Sequence, residues 1–303
     1  MKLLQWLLIA VATVIILLAA YTAYLIHSVD PDVMPEHHGK VAVEFFAGPP
    51  SASPKPLVVT FGGAEGRNAW ASDRWAGERQ AFLDAGYALL TVAYFGAPGT
   101  PAALDRIALE GVHGAIVEAG QTPGVDGRCV ALVGGSKGGE LALLLASRYP
   151  DIDAVAAIVP GSAVFVGHTA AFTTSSFSHH GESLPFVPLP WSATGALIAG
   201  DKRRVFDLMA ADKDAMARAA IPVEQIQGPV FLLSATRDEL WDSKGMSDAM
   251  IARLDAHGFP HAHAHVAIEG GHVAPTEHLH LVREFLASHF LPRVATGCAA
   301  ATP

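Results

Sequence analysis

Uncharged side chains fill every position from residue 3 to residue 26, and most of them are Leu, Ile, Val or Ala. As a helix rising about 1.5 Å per residue, this stretch would run about 36 Å, enough to cross a hydrocarbon core of about 30 Å. A cleaved signal peptide is the rival reading, with Tyr21-Thr22-Ala23 as its small-residue site. Its apolar centre is ordinarily about 7–15 residues, shorter than this one. An uncleaved transmembrane anchor over 1–27 is therefore favoured. Lys2 precedes it, and Asp30, Asp32 and Glu36 follow before Lys40. That bias puts the amino terminus in the cytoplasm and the rest of the chain outside. Residues 28–40, polar and broken by two prolines, read as a linker.

Beyond the linker, short apolar runs alternate with helix-period stretches. Strands are predicted at 41–46 (an edge), 57–61, 87–93, 129–133, 155–159, 230–234 and 261–268. Helices are predicted at 75–85, 101–120, over the apolar pattern 141–146 that stops at Pro150, at 243–256 and at about 277–290. Such alternation implies one α/β domain over 41–292, with a mostly parallel sheet covered on both faces. Between 162 and 227 the pattern breaks down, except for a helix around 205–219. An insertion this long is expected to cap a site. Phe165, Phe172, Phe177, Phe186 and Trp191 would line an apolar acyl pocket beneath it, packing of cap on body being the alternative. The Ala-rich tail, 293–303, is expected to be disordered.

Chemistry concentrates where strand 129–133 meets its helix, at Gly134-Gly135-Ser136-Lys137-Gly138. Glycines two before and two after a serine permit a turn too tight for Cβ atoms. That turn lifts the hydroxyl above the helix N-terminus. The free N–H groups there can hold an oxyanion. Lys137 would contribute its backbone N–H, and the loop Gly62-Gly63-Ala64-Glu65-Gly66 a second donor from Gly63 or Ala64. Glu140, in the first turn of the helix, would complement its dipole. A serine needs a base, and the base a group to orient it. On this architecture they follow in the order serine, acid, histidine. Asp238 lies four residues past Ser234, and His272 follows Gly270-Gly271. Glu239 and Asp242 are neighbouring acids that could stand in for Asp238.

The formal charge of −9 and the absence of a basic cluster exclude a nucleic-acid partner. Neither cysteine sits in a redox or zinc spacing. With Cys129 in a buried strand and Cys298 in the tail, no disulfide between them is expected. His261, His263 and His265 share one strand face and could hold a metal, but a further ligand is not evident. No cofactor is called for.

Several stretches together are similar to the catalytic domain of the acyl-CoA thioesterase and bile acid-CoA:amino acid N-acyltransferase (BAAT) family. They are FGGAEG, GYALLTVAYFG, VALVGGSKGGELALLLAS, GESLPFVPLP, IPVEQIQGPVFLLSATRDELWDS and IEGGHV. The resemblance, spanning about 57–290, implies an α/β-hydrolase fold, an acyl-CoA or acyl-ester substrate, and a triad of Ser136, Asp238 and His272. It departs in two ways. The family's animal members carry an amino-terminal β-sandwich domain for which there is no room before residue 41. The acyltransferase branch uses cysteine as nucleophile, so Ser136 favours hydrolysis over transfer. Alternatives are an acyltransferase, a peptidase, or a non-catalytic binding protein of the same fold. An outward-facing body also conflicts with acyl-CoA, which is cytosolic.

Overall fold

The computed structural model describes residues 2–298. Among the described residues ten strands are present: β1 (Ala42–Phe46), β2 (Lys55–Phe61), β3 (Ala88–Ala93), β4 (Ile107–Ala108), β5 (Val125–Gly135), β6 (Ala154–Ile158), β7 (Phe177–His179), β8 (Glu182–Ser183), β9 (Val230–Ala235) and β10 (His263–Ile268). Seven of them form one sheet in the order β1-β3-β2-β5-β6-β9-β10. Only β1 runs antiparallel, at the edge on β3; every other pair is parallel. Burial on both faces explains the near-continuous apolar runs. Along β2, Leu57, Val59 and Phe61 feed one core while Val58 feeds the other.

The helices are α1 (Lys2–His27), α2 (Ala76–Asp84), α3 (Leu109–Gly120), α4 (Lys137–Arg148), α5 (Thr194–Ala199), α6 (Lys202–Ala210), α7 (Lys213–Arg218), α8 (Ser243–Ala256), α9 (Leu279–His289) and α10 (Leu291–Ala295). The helix α1 is long and apolar enough to cross a membrane.

Three expectations need correction. The helix predicted from residue 101 begins only at Leu109, because the chain before it turns through Arg106 at φ +45° and adds β4 to a small sheet with β7 and β8. The single helix predicted around 205–219 is two, α6 and α7, since Asp212 caps a new start by accepting the Ala215 N–H. The linker packs on the body. Buried Arg106 pairs with Asp105 and donates to the carbonyls of Asp30 and Pro31, while His38 bonds Ser178 Oγ at 2.9 Å. Lastly, Cys298 is bonded to Cys129 across 169 residues of chain. Phe290 ends α9 in a fully buried position, and Arg293 reaches Gln227 O and Asp153, so the chain turns back along the body to β5. The part of the tail within the described residues is thus ordered; residues 299–303, also expected to be disordered, lie outside them.

Closing so long a loop restricts the unfolded chain, an effect of about 2–5 kcal/mol. Unreduced protein unfolded in guanidinium should titrate no free thiol. Cys298→Ser should lower the unfolding free energy obtained from urea titration by an amount in that range without altering the far-ultraviolet circular dichroism.

Candidate active site

The carboxyl ends of β2, β5 and β6 and the loops after β9 and β10 meet at one cleft of about 630 Å³. At its floor Ser136 has φ +56° and ψ −120°, a conformation that side chains other than glycine seldom adopt. Backbone crowding explains why it is held there. A methyl on Gly134 would stand 2.0 Å from Gly138 O, and one on Gly138 would stand 2.3 Å from Gly62 O. Both glycines are therefore obligatory for α4 to approach β5 and the end of β2 so closely.

His272 reaches the serine from the loop after β10, with Nε2 3.2 Å from Ser136 Oγ. Its Nδ1 lies 2.9 Å from both carboxylate oxygens of Asp238. Asp238 accepts further N–H groups from Leu240 and Trp241. Burial works to raise the Asp238 carboxyl, but bonds from His272 and Ser243 outweigh it and hold the group below the ordinary range. The anion so favoured keeps the proton on Nδ1 and leaves Nε2 as acceptor toward the serine. The Trp241 ring stands edge-on to the imidazole at 4.8 Å, and its Nε1–H donates to Val159 O. Of the neighbouring acids, Glu239 accepts the His272 backbone N–H at 2.8 Å, and Asp242 caps α8. Neither is the partner of the ring.

Of the three proposed oxyanion donors, two border the same cleft and Lys137 directly follows Ser136. Lys137 N–H begins α4 and has no intrahelical acceptor. Gly63 and Ala64 line the opposite wall. Tyr94 was not singled out from the sequence. Its buried hydroxyl lies 2.7 Å from Gly62 O and 3.2 Å from Gly63 O. Beneath the elbow, Lys137 Nζ and Glu140 form a fully buried pair at 3.0 Å. Burial raises the Glu140 carboxyl, and Lys137 and the Phe165 N–H counter it in part. Glu140 therefore does more than complement a helix dipole: its carboxylate accepts the Phe165 N–H, and Lys137 Nζ contacts Ser176 Oγ, which ties the elbow to the cap. The signal available in the sequence was a lysine and a glutamate three apart in an otherwise apolar helix.

The five cap aromatics do not gather around one pocket. Phe165 packs over Lys137 Nζ and against Phe206, Phe177 is core, Phe186 is half-buried between clusters, and Trp191 is 76% exposed. Only Phe172 lines the apolar cavity of about 160 Å³ in the cap, with Val166, Leu189, Val205, Phe206 and Met209. His168 is also on its wall. Burial, with Lys137 and Lys202 nearby, pushes that imidazole down to about 4, so it is neutral at pH 7. Lys202 borders both the cavity and the cleft. Of the three histidines expected on one strand face, His261 precedes β10, and the other two bond different acids. His263 bonds Asp255, and His265 bonds Asp248 and Ser234, while the His261 carbonyl faces His263.

Residues 110–276, more than half of the chain, match the family described as BAAT / Acyl-CoA thioester hydrolase C terminal. The chain belongs to that family. It is 28% identical over 237 residues to acyl-coenzyme A thioesterase 2, mitochondrial, of Mus musculus, covering 77% of this chain and 48% of that one. It is 29% identical over 225 residues to acyl-coenzyme A thioesterase 1 of Homo sapiens, covering 74% and 50%. The chain thus spans about half the length of these curated relatives. Among solved structures, an acylaminoacyl peptidase in complex with Z-Gly-Gly-Phe-chloromethyl ketone superposes with a TM-score of 0.58 at 14% identity, covering 82% of this chain and 40% of that one. An esterase of Pyrococcus furiosus gives 0.52 at 15%, covering 78% and 84%. At those identities the likeness establishes the fold, an α/β-hydrolase.

Breaking a buried ion pair leaves one charge uncompensated, at a cost of about 3–5 kcal/mol, whereas replacing both partners by apolar residues is often neutral. Lys137→Met alone should therefore lower the stability of this family member by about that much, and adding Glu140→Leu should restore most of it, as read by urea unfolding.

Proposed function

We propose that the protein is a serine-dependent hydrolase of acyl esters or thioesters. The observation that carries this reading is the chain of contacts from Asp238 through His272 to a serine held at the apex of a strained, solvent-facing turn. In the first half-reaction His272 Nε2 takes the proton of Ser136 Oγ as the oxygen attacks the acyl carbonyl. The oxyanion is stabilised by Lys137 N–H together with N–H groups of the Gly63-Ala64 loop, each such donor lowering the barrier by about 2.7–4 kcal/mol. Collapse of the tetrahedral intermediate expels the alcohol or thiol with the proton from His272. Water, activated by the same imidazole, then releases the acid from acyl-Ser136 and returns the proton to the serine.

The acyl end is best accommodated by the cap cavity. About 160 Å³ compares with the roughly 150 Å³ apolar cavity that holds a benzene molecule, so acyl groups of about six carbons fit. Two features favour an oxidising, extracytoplasmic position for the domain: the membrane-length helix α1 and the Cys129–Cys298 bond. There the substrate would be an ester or thioester other than cytosolic acyl-CoA, although the relatives named acyl-coenzyme A thioesterase keep acyl-CoA as the second candidate.

A fluorophosphonate probe should label the wild type and not Ser136→Ala. Steady-state hydrolysis should fall about 10⁶-fold in Ser136→Ala and about 10⁴-fold in Asp238→Asn. Wild-type protein inert to the probe, to p-nitrophenyl esters and to acyl-CoA would overturn the reading. Across straight-chain p-nitrophenyl esters, kcat/KM should peak near six carbons. Lys202→Ala should move the optimum to longer chains by widening the passage at the one side chain that borders both cavity and cleft.

A further inference from the structure

The loop after β2 carries a group that the reaction just described does not use. Within one peptide unit the C=O and N–H point in opposite directions. With the carbonyls of Gly62 and Gly63 turned down to the Tyr94 hydroxyl, the N–H groups of Gly63 and Ala64 face up into the cleft. The Gly63 N–H already has an acceptor there. Glu65 Oε1 takes it at 3.0 Å. A methyl built on Gly63 would meet Glu65 Oε2 at 2.8 Å and Ser136 Cβ at 3.0 Å, so the carboxylate and the nucleophilic serine flank one spot. Glu65 is exposed, and among the described residues its carboxylate pairs with no Lys, Arg or His within 4.0 Å.

A carboxylate held on an oxyanion donor competes with the carbonyl oxygen that must take its place. Once displaced it remains beside the reacting acyl group, where like charge is disfavoured. We infer that Glu65 is a specificity-determining residue. Its carboxylate occupies the Gly63 donor in the free enzyme, gives it up to the substrate, and then discriminates against acyl groups bearing negative charge in favour of cationic ones. Arg74 and Lys202 also line the cleft, so the preference belongs to the spot beside Gly63 and not to the overall charge of the cleft. The inference rests on the hydrolase reading of Ser136.

The test uses phenyl esters of three isosteric acids whose far ends are a tert-butyl, a trimethylammonium and a sulfonate group. These are assayed on the full chain, wild type, Glu65→Gln and Glu65→Ala. In the wild type the cationic ester should exceed the sulfonate in kcat/KM by about tenfold or more, and in both variants that ratio should fall toward one. A charge-assisted hydrogen bond is stronger than the 1.4 kcal/mol that equals tenfold. Glu65→Ala should accordingly raise kcat/KM for the neutral ester by about tenfold through KM. Glu65→Gln keeps the shape of the side chain and guards against a folding defect. A charge ratio unmoved by either substitution, or a neutral ester hydrolysed more slowly by Glu65→Ala, would overturn the assignment of Glu65 while fluorophosphonate labelling of Ser136 stays intact. A wild type that the probe does not label removes the hydrolase reading and this inference together.

Discussion

Where α4 passes the end of β2, a single added methyl at Gly138 would stand 2.3 Å from Gly62 O. Backbone packed against backbone with no room for a side chain sets the separation between the elbow and the Gly62-Gly63-Ala64 loop. It also forces the reversal that leaves Ser136 at φ +56°. Strain of this kind costs on the order of 1–3 kcal/mol and persists only where the surroundings over-determine it. They do so here from three sides: the parallel pairing of β5 with β2 and β6, the buried Lys137–Glu140 pair under the helix, and the Tyr94 hydroxyl under the loop. The cleft is accordingly built by rigid elements. The groups with freedom to move, such as Glu65, are side chains on its rim.

Much of this was legible in the order of residues because it depends on local pattern. An apolar run, glycines at two fixed offsets and an apolar helix leave few ways to fold 129–148. A parallel α/β sheet puts the ends of its successive strands on one edge. Ser136, Asp238 and His272 each follow such a strand end, so their convergence is a consequence of topology. Position four residues past Ser234 favoured Asp238 without excluding Glu239 and Asp242, and where the loop after β9 aims each carboxylate separates them. What stayed hidden depends on tertiary neighbours. The Cys129–Cys298 bond requires the chain to reverse after Phe290, and no periodicity marks that turn. Among the cap aromatics, Phe165 and Phe177 are consumed by packing and Trp191 by solvent exposure, outcomes that hydrophobicity alone cannot separate from pocket lining. Arg106 gave no periodic signal either, yet it fastens the stretch after α1 to the body.

The molecule also contains a second chain of serine, histidine and aspartate, and comparing the two isolates what a reactive site needs. Ser234 Oγ lies 2.6 Å from His265 Nε2, and His265 Nδ1 lies 2.9 Å from Asp248, distances as good as those at Ser136. Yet Ser234 sits within the regular strand β9, fully buried, so no substrate carbonyl can approach its hydroxyl. Its Asp248 is also shared with Lys244, which diverts charge from the imidazole. Hydrogen bonding along three side chains is therefore an ordinary way to satisfy polar groups between a strand and a helix. What sets Ser136 apart is the backbone around it, namely a turn that exposes the oxygen and a helix N-terminus and glycine loop that bring N–H groups to the same point. On the hydrolase reading proposed above, competence would rest on the oxyanion donors as much as on the three side chains, and Glu65, whose carboxylate accepts the Gly63 N–H, would stand where the fold has most control over which substrates react.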